Sequence, residues 1–233
     1  MLKHLTLSGL IFPLLTTTVL AQTSSKPSQC FGSTSNGRIA HAVQLPTSGK
    51  NYKSYSNLAA TLGRTYVHTG VRDIVVGAYQ NLARTHPSKV FKYAETGNKN
   101  GGLFSPHKTH QNGLSVDFMV PVTNAKGQSI HLPTHALNRY GYDIEFNKQG
   151  RYGKLKIDYE AMAAHIVALH QSAKKRGYDL WRVIFDPKLQ TPLFQTSYKD
   201  YLKDNIQFTQ RRSWVRHDEH YHVDFDIPCK TLN

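Results

Sequence analysis

The sequence predicts an α+β domain with a central, mainly antiparallel sheet, flanking helices and long loops. Three observations predict it. Apolar residues recur at helical spacing in two separate stretches and alternate with polar residues in others. The two kinds of stretch follow one another without a regular strand–helix–strand rhythm, which argues against a parallel sheet. Segments rich in Gly, Asn and Lys separate them, as surface loops do.

The elements follow in chain order. Lys3 precedes an apolar run from Leu5 to Leu20 that Pro13, Thr16, Thr17 and Thr18 interrupt, and Val19-Leu20-Ala21 ends it with small residues. That pattern predicts a cleavable export signal over 1–21 with the cut after Ala21, leaving 22–233 as a single domain. Gln22 to Gln29 reads as a short flexible lead. Val71, Ile74, Val75, Ala78 and Leu82 predict a helix from near Asp73 to Arg84, before Pro87. Val90 to Ala94 reads as a strand and Glu95 to Lys108 as a loop. Leu114, Val116, Phe118 and Val120 alternate with Ser115, Asp117 and Met119, the period of a half-buried strand. Gly141 to Gly153 is a second polar loop. Asp158 is the expected N-cap of a helix carrying Tyr159, Met162, Ile166, Leu169 and Ala173 on one face, with Gly177 as its stop. Trp181 to Phe185 reads as a strand and Tyr198 to Lys203 as a short helix. Tyr221, Val223 and Phe225 alternate with His220, His222, Asp224 and Asp226 in a last strand.

The formal charge is +14, which favours a polyanionic partner. For an exported, periplasmic chain, a cell-wall polymer with free carboxylates on its peptides fits better than nucleic acid. RNP, KH and zinc-finger signatures are absent from the sequence. No segment after residue 21 is long and apolar enough to span a membrane. The two cysteines, Cys30 and Cys229, predict one disulfide that ties the ends of the mature chain together.

The chain has 13 histidines, and two clusters of them carry the chemistry. His107 and His110 precede the strand of Asp117; His217, His220 and His222 open the last strand. Asp117 points away from the apolar face of its strand, and His220 and His222 do the same on theirs. If the two strands pair, both polar faces line one cleft while both apolar faces enter the core. A histidine, the carboxylate and a second histidine then form a suitable triad for a catalytic Zn²⁺, with a fourth position left open. A further base near the metal is needed to move a proton from water to a leaving amine, and a neighbouring histidine supplies it. His41, His68, His86, His131, His135, His165 and His170 read as surface or satisfied core residues.

The segment Ser105-Pro-His107-Lys-Thr-His110-Gln111-Asn-Gly113-Leu-Ser-Val-Asp117 resembles the first signature of the penicillin-insensitive murein endopeptidases. Trp214-Val-Arg-His217-Asp218-Glu-His220-Tyr-His222-Val resembles their second. Weaker echoes are Ser35-Asn36-Gly37, Leu45-Pro46 and Gly63-Arg64-Thr-Tyr66-Val-His68. The family belongs to a wider group with lysostaphin-type and D-Ala-D-Ala metallopeptidases and the Hedgehog signalling domain. The resemblance implies His110, Asp117 and His222 as ligands of one zinc ion per chain and His220 as catalytic base. It implies flanking positions for His107 and His217, a loop shaped by Gln111 and Gly113, and Asp218 as a partner that orients a histidine. The family can also carry an Asp-x-x-His pair for a further metal; here the nearest counterpart is Asp158, with Ala161 in place of the histidine. The implied activity is endopeptidase cleavage of D-alanyl–diaminopimelate cross-links in peptidoglycan. A D-Ala-D-Ala carboxypeptidase or dipeptidase on the same scaffold, and a silent metal-stabilised wall-binding module, are the alternatives.

Overall fold

The computed structural model describes residues 26–211, 213 and 215–232. The expected export signal, residues 22–25 of the lead, and Trp214 of the second signature lie outside the described residues. The described end of the lead is not loose. Ser28 is buried and its hydroxyl donates to the His41 carbonyl at 2.7 Å, while Gln29 already opens the first strand, Gln29–Gly32.

The central sheet has five strands in the order Asp179–Ile184, His220–Asp226, Ser115–Met119, Phe91–Tyr93 and Tyr52–Ser54. Its neighbours run antiparallel except for Tyr52–Ser54 against Phe91–Tyr93, which are parallel. The α+β reading with a mainly antiparallel sheet therefore stands. The register matters more than the strand count. His222 lies directly opposite Asp117, Tyr221 opposite Phe118, and Val223 opposite Val116. Because side chains alternate with period two, His220, His222 and Asp224 share a face with Asp117 and Ser115.

The opposite face carries Phe118, Val116, Tyr221 and Val223 into the core, beneath two helices, Thr69–Thr85 and Tyr159–Lys174. The second helix starts and stops where its signals place it. The Asp158 carboxylate accepts the Ala161 amide at 3.0 Å, and Gly177 takes φ +75° just past the end. The other Asp158 oxygen accepts from Lys89 Nζ at 2.7 Å, so both carboxylate oxygens are engaged in structural roles. The first helix begins at Thr69, earlier than its apolar pattern implies, because the His68 ring accepts the Gly70 amide at 3.0 Å. Histidine is not among the favoured capping residues, so the signal was hidden.

The Ser115–Met119 strand is buried on both faces and not half-buried as its alternation suggested. Loops cover its polar face, and they form the site described below. The Gly141–Gly153 loop buries Ile144 and Phe146 and contains a short strand, Arg151–Tyr152. Strands of two to four residues, such as Gln29–Gly32 and Gly37–Ala40, are too short for a periodic signal.

Cys30 and Cys229 form the expected disulfide, with Cα atoms 4.9 Å apart. The link fixes the N-terminal hairpin to the chain end. That hairpin in turn braces the histidine loop: the Gly102 amide donates to the Gly37 carbonyl at 3.1 Å and the Gln111 amide to the Thr34 carbonyl at 3.0 Å.

Candidate active site

The cross-strand register sets Asp117 at the centre of a histidine cluster. His110 reaches it from the loop before the strand, in a left-handed conformation at φ +69°, which non-glycine residues adopt at some cost. Its Nδ1–H donates to the Thr96 carbonyl at 3.0 Å. A carbonyl can only accept, so the neutral ring keeps its lone pair on Nε2. That nitrogen is buried, has no hydrogen-bond partner, and lies 3.3 Å from Asp117 Oδ1. A buried, unpartnered ring nitrogen aimed at a carboxylate oxygen suits a metal ligand. Gly113, at φ +78°, packs closely on the neighbouring backbone, where a Cβ would lie 2.5 Å from Ile39 Cδ1 and 2.9 Å from the His68 amide nitrogen.

His222 approaches the same oxygen from across the sheet, with Nδ1 2.8 Å from Asp117 Oδ1. Its Nε2 lies 2.7 Å from Asp224 Oδ1. Asp224 is itself held by the Ser115 hydroxyl at 2.6 Å and by Arg182 Nε at 2.7 Å. Burial disfavours charge on His222, but the two flanking carboxylates, Asp224 foremost, raise it to about 10. A metal ion in the same place would replace the proton on Nδ1. Burial likewise opposes the Asp117 charge, yet the facing His110 and His220 hold its carboxyl well below the usual range.

His107 takes the other side of the carboxylate. Its Nε2 bonds Glu95 Oε2 at 2.5 Å and its Nδ1 lies 3.8 Å from Asp117 Oδ2. The ligand atoms of His107, His110 and Asp117 all lie within 4.8 Å of one another, so His107 is a fourth potential donor beside the expected three. Glu95 also accepts from the Tyr55 hydroxyl at 2.9 Å and from Arg64 Nε. Burial would raise this carboxyl, but His107 and Arg64 bring it down to about 2.

His220 stands beside Asp117, its Nε2 3.8 Å from Oδ2, while its Nδ1 bonds Glu219 Oε1 at 2.8 Å. Burial lowers His220 to about 4, so the ring is neutral at pH 7. His217 anchors its Nδ1 on the Val215 carbonyl at 3.0 Å, with its ring 4.7 Å from that of His220. Burial, then His220 and His222, lower it to about 3. Asp218 has a different task from the one expected. It accepts the Phe146 amide at 2.6 Å and two bonds from Arg216, which pins the 141–153 loop. The acidic side chains that contact the His220–His222 pair are Glu219, which burial raises to about 9, and Asp224, which stays ionised.

These groups meet at a cleft of about 760 Å³ lined by His107, His217, His220 and His222 together with Tyr55, Tyr140 and Tyr142. The Tyr142 hydroxyl donates to Asp117 Oδ2 at 3.2 Å.

The sequence model of the penicillin-insensitive murein endopeptidases matches residues 30–233. The chain belongs to the penicillin-insensitive murein endopeptidase family. No curated protein matches the chain. Membership makes it a peptidoglycan hydrolase. No helix among the described residues is long and apolar enough to cross a membrane.

Within this murein endopeptidase fold, His107, His217, His220 and His222 line the cleft, and His110 lies buried against Asp117. Four further participants escaped the sequence reading. Asp224 had a signal, since it shares strand parity with His220 and His222. Glu219 adjoins the pair but has the opposite parity. Glu95 and Tyr142 come from loops, where no periodicity announces direction.

Proposed function

We propose that this murein endopeptidase is exported, zinc-dependent and cuts D-alanyl–diaminopimelate cross-links. One observation carries the reading: His110 Nε2 and His222 Nδ1 converge on Asp117 Oδ1, at 3.3 and 2.8 Å. Two imidazoles and one carboxylate oxygen, with a cleft on the open side, suit a single catalytic Zn²⁺ per chain held by His110, Asp117 and His222. The hydrogen bond from His110 to Thr96 and the contact of His222 with Asp224 orient the two rings. When bound, Zn²⁺ supplies Lewis acidity toward water and the scissile carbonyl.

The chain's own side chains supply the rest. His220 accepts a proton from the attacking water and returns it to the leaving amine. Burial keeps the ring neutral at pH 7, so one of its nitrogens carries a lone pair. Glu219 bonds Nδ1 at 2.8 Å and so orients the ring; burial raises this carboxyl to about 9. His107 and His217 flank the reacting groups.

Residues 1–21 act as the export signal in this reading, and 22–233 form the enzyme. The Cys30–Cys229 bond supports an oxidising, periplasmic destination. The test is digestion of purified diaminopimelate-cross-linked muropeptide dimers, with products identified by mass. Monomers should appear with zinc present and vanish on chelation. Release of D-Ala from pentapeptides with dimers left intact would replace the endopeptidase reading by a carboxypeptidase one.

A further inference from the structure

Four arginines line the cleft among the described residues, and three of them are committed. Arg64 bonds Glu95 and, at 3.1 Å, the Ser105 carbonyl. Arg182 is held by Asp224, and Arg216 by Asp218 and Glu145. Their side chains are 28%, 27% and 34% exposed. Arg139 differs: its side chain is 73% exposed, and its contact with Asp143, itself 46% exposed, is 3.5 Å long. Such an exposed pair contributes little, so another carboxylate can displace it at small cost.

The backbone holds Arg139 in place. Arg139 and Tyr140 are consecutive left-handed residues, at φ +46° and +57°, and neither is Gly or Asn. Asn138 sustains the conformation: its Oδ1 accepts the His135 and Gly141 amides at 2.9 and 3.0 Å, and its Nδ2 donates to the Pro133 carbonyl at 2.9 Å. One turn on, the Tyr142 amide donates to the Arg139 carbonyl at 3.3 Å, and the Tyr142 hydroxyl touches Asp117. A strained segment thus places a lightly paired guanidinium one turn from a residue that contacts the central carboxylate.

We propose that Arg139 determines specificity by binding a free α-carboxylate on the residue that follows the scissile bond. This rests on the endopeptidase reading for the identity of the substrate. In a D-alanyl–diaminopimelate link, the amide nitrogen belongs to the D-centre of diaminopimelate, whose own α-carboxylate stays free. A planar guanidinium matches a carboxylate with two parallel hydrogen bonds.

The experiment compares two muropeptide dimers, one with that carboxylate free and one with it converted to the carboxamide. Wild type and Arg139→Gln are assayed for kcat and KM with zinc present. Calorimetric Kd values for both dimers, measured with a chelator present, give a readout independent of turnover. The wild type should favour the free carboxylate by about 10–100-fold in kcat/KM and in affinity. Arg139→Gln should lose most of that preference by weakening only on the carboxylate dimer, chiefly in KM. Arg139→Lys should retain part of it, since a lysine keeps the charge without the fork. An undiminished preference in Arg139→Gln, or none in the wild type, would overturn the proposal. Failure of the wild type to cut either dimer would refute the endopeptidase reading instead, and the calorimetric comparison would still decide the role of Arg139.

Discussion

His222 and His220 project from the same strand face, yet their surroundings assign them different work. His222 is wedged between Asp117 and Asp224, while His220 keeps Nε2 clear at 3.8 Å from the nearest Asp117 oxygen. On the proposed reading, His222→Ala removes a ligand and should abolish both bound zinc and activity. His220→Ala should retain near-stoichiometric zinc by elemental analysis and lose about 10²–10⁴-fold in rate, the usual worth of a positioned acid–base group. Full cleavage by His220→Ala would move the base role to His217. A third histidine illustrates a stability effect. His165 is buried in the core, stacked on Tyr79 at 4.8 Å and bonded to the Tyr221 hydroxyl, and burial lowers it to about 3. An unfolded chain binds this proton at about 6.5 and the folded chain does not until about 3. Stability is therefore lost as pH falls through that window. In His165→Phe the loss between pH 7 and pH 5 should shrink by about 2 kcal/mol, read as a smaller shift in the urea midpoint.

At the scale of elements, the start of the Tyr159–Lys174 helix answers a question left by the family resemblance. The Asp158 carboxylate caps that helix and pairs with Lys89. Asp158→Ala should cost about 0.5–2 kcal/mol of stability in denaturant titration while leaving zinc content unchanged. A loss of metal would instead assign Asp158 to a metal position. The loops over the sheet follow different rules from the helices. Asn138 and the left-handed pair Arg139–Tyr140 hold their segment through hydrogen bonds that close only when residues 133–143 have folded together.

At the scale of the molecule, the disulfide spans 199 residues, so it constrains almost the whole described chain. Chain-entropy arithmetic gives about 4–5 kcal/mol as an upper figure for so long a loop. Paired replacement Cys30→Ser and Cys229→Ser should lower stability by about 2–5 kcal/mol, measured by reversible denaturation without reductant. Zinc affinity should weaken as well, because the tethered hairpin braces the loop that carries His110. Unchanged affinity in the folded double variant would show that the brace holds without the bond.

Periodicity and composition alone determined the two long helices, the polarity of the Ser115–Met119 and His220–Asp226 strands, the cysteine pair and the two histidine clusters. These are local or pairwise properties: a face of a helix, the parity of a strand, or the only two candidates for one bond. Tertiary structure alone decided that His222 sits opposite Asp117 and that Asp218 serves a loop while Asp224 serves the histidine. It also brought Glu95 and Tyr142 into the centre. The physical reason is that strand register and loop direction are set by contacts between residues far apart in the chain. A single strand's alternation says which side chains share a face, but not which residue lies across from them.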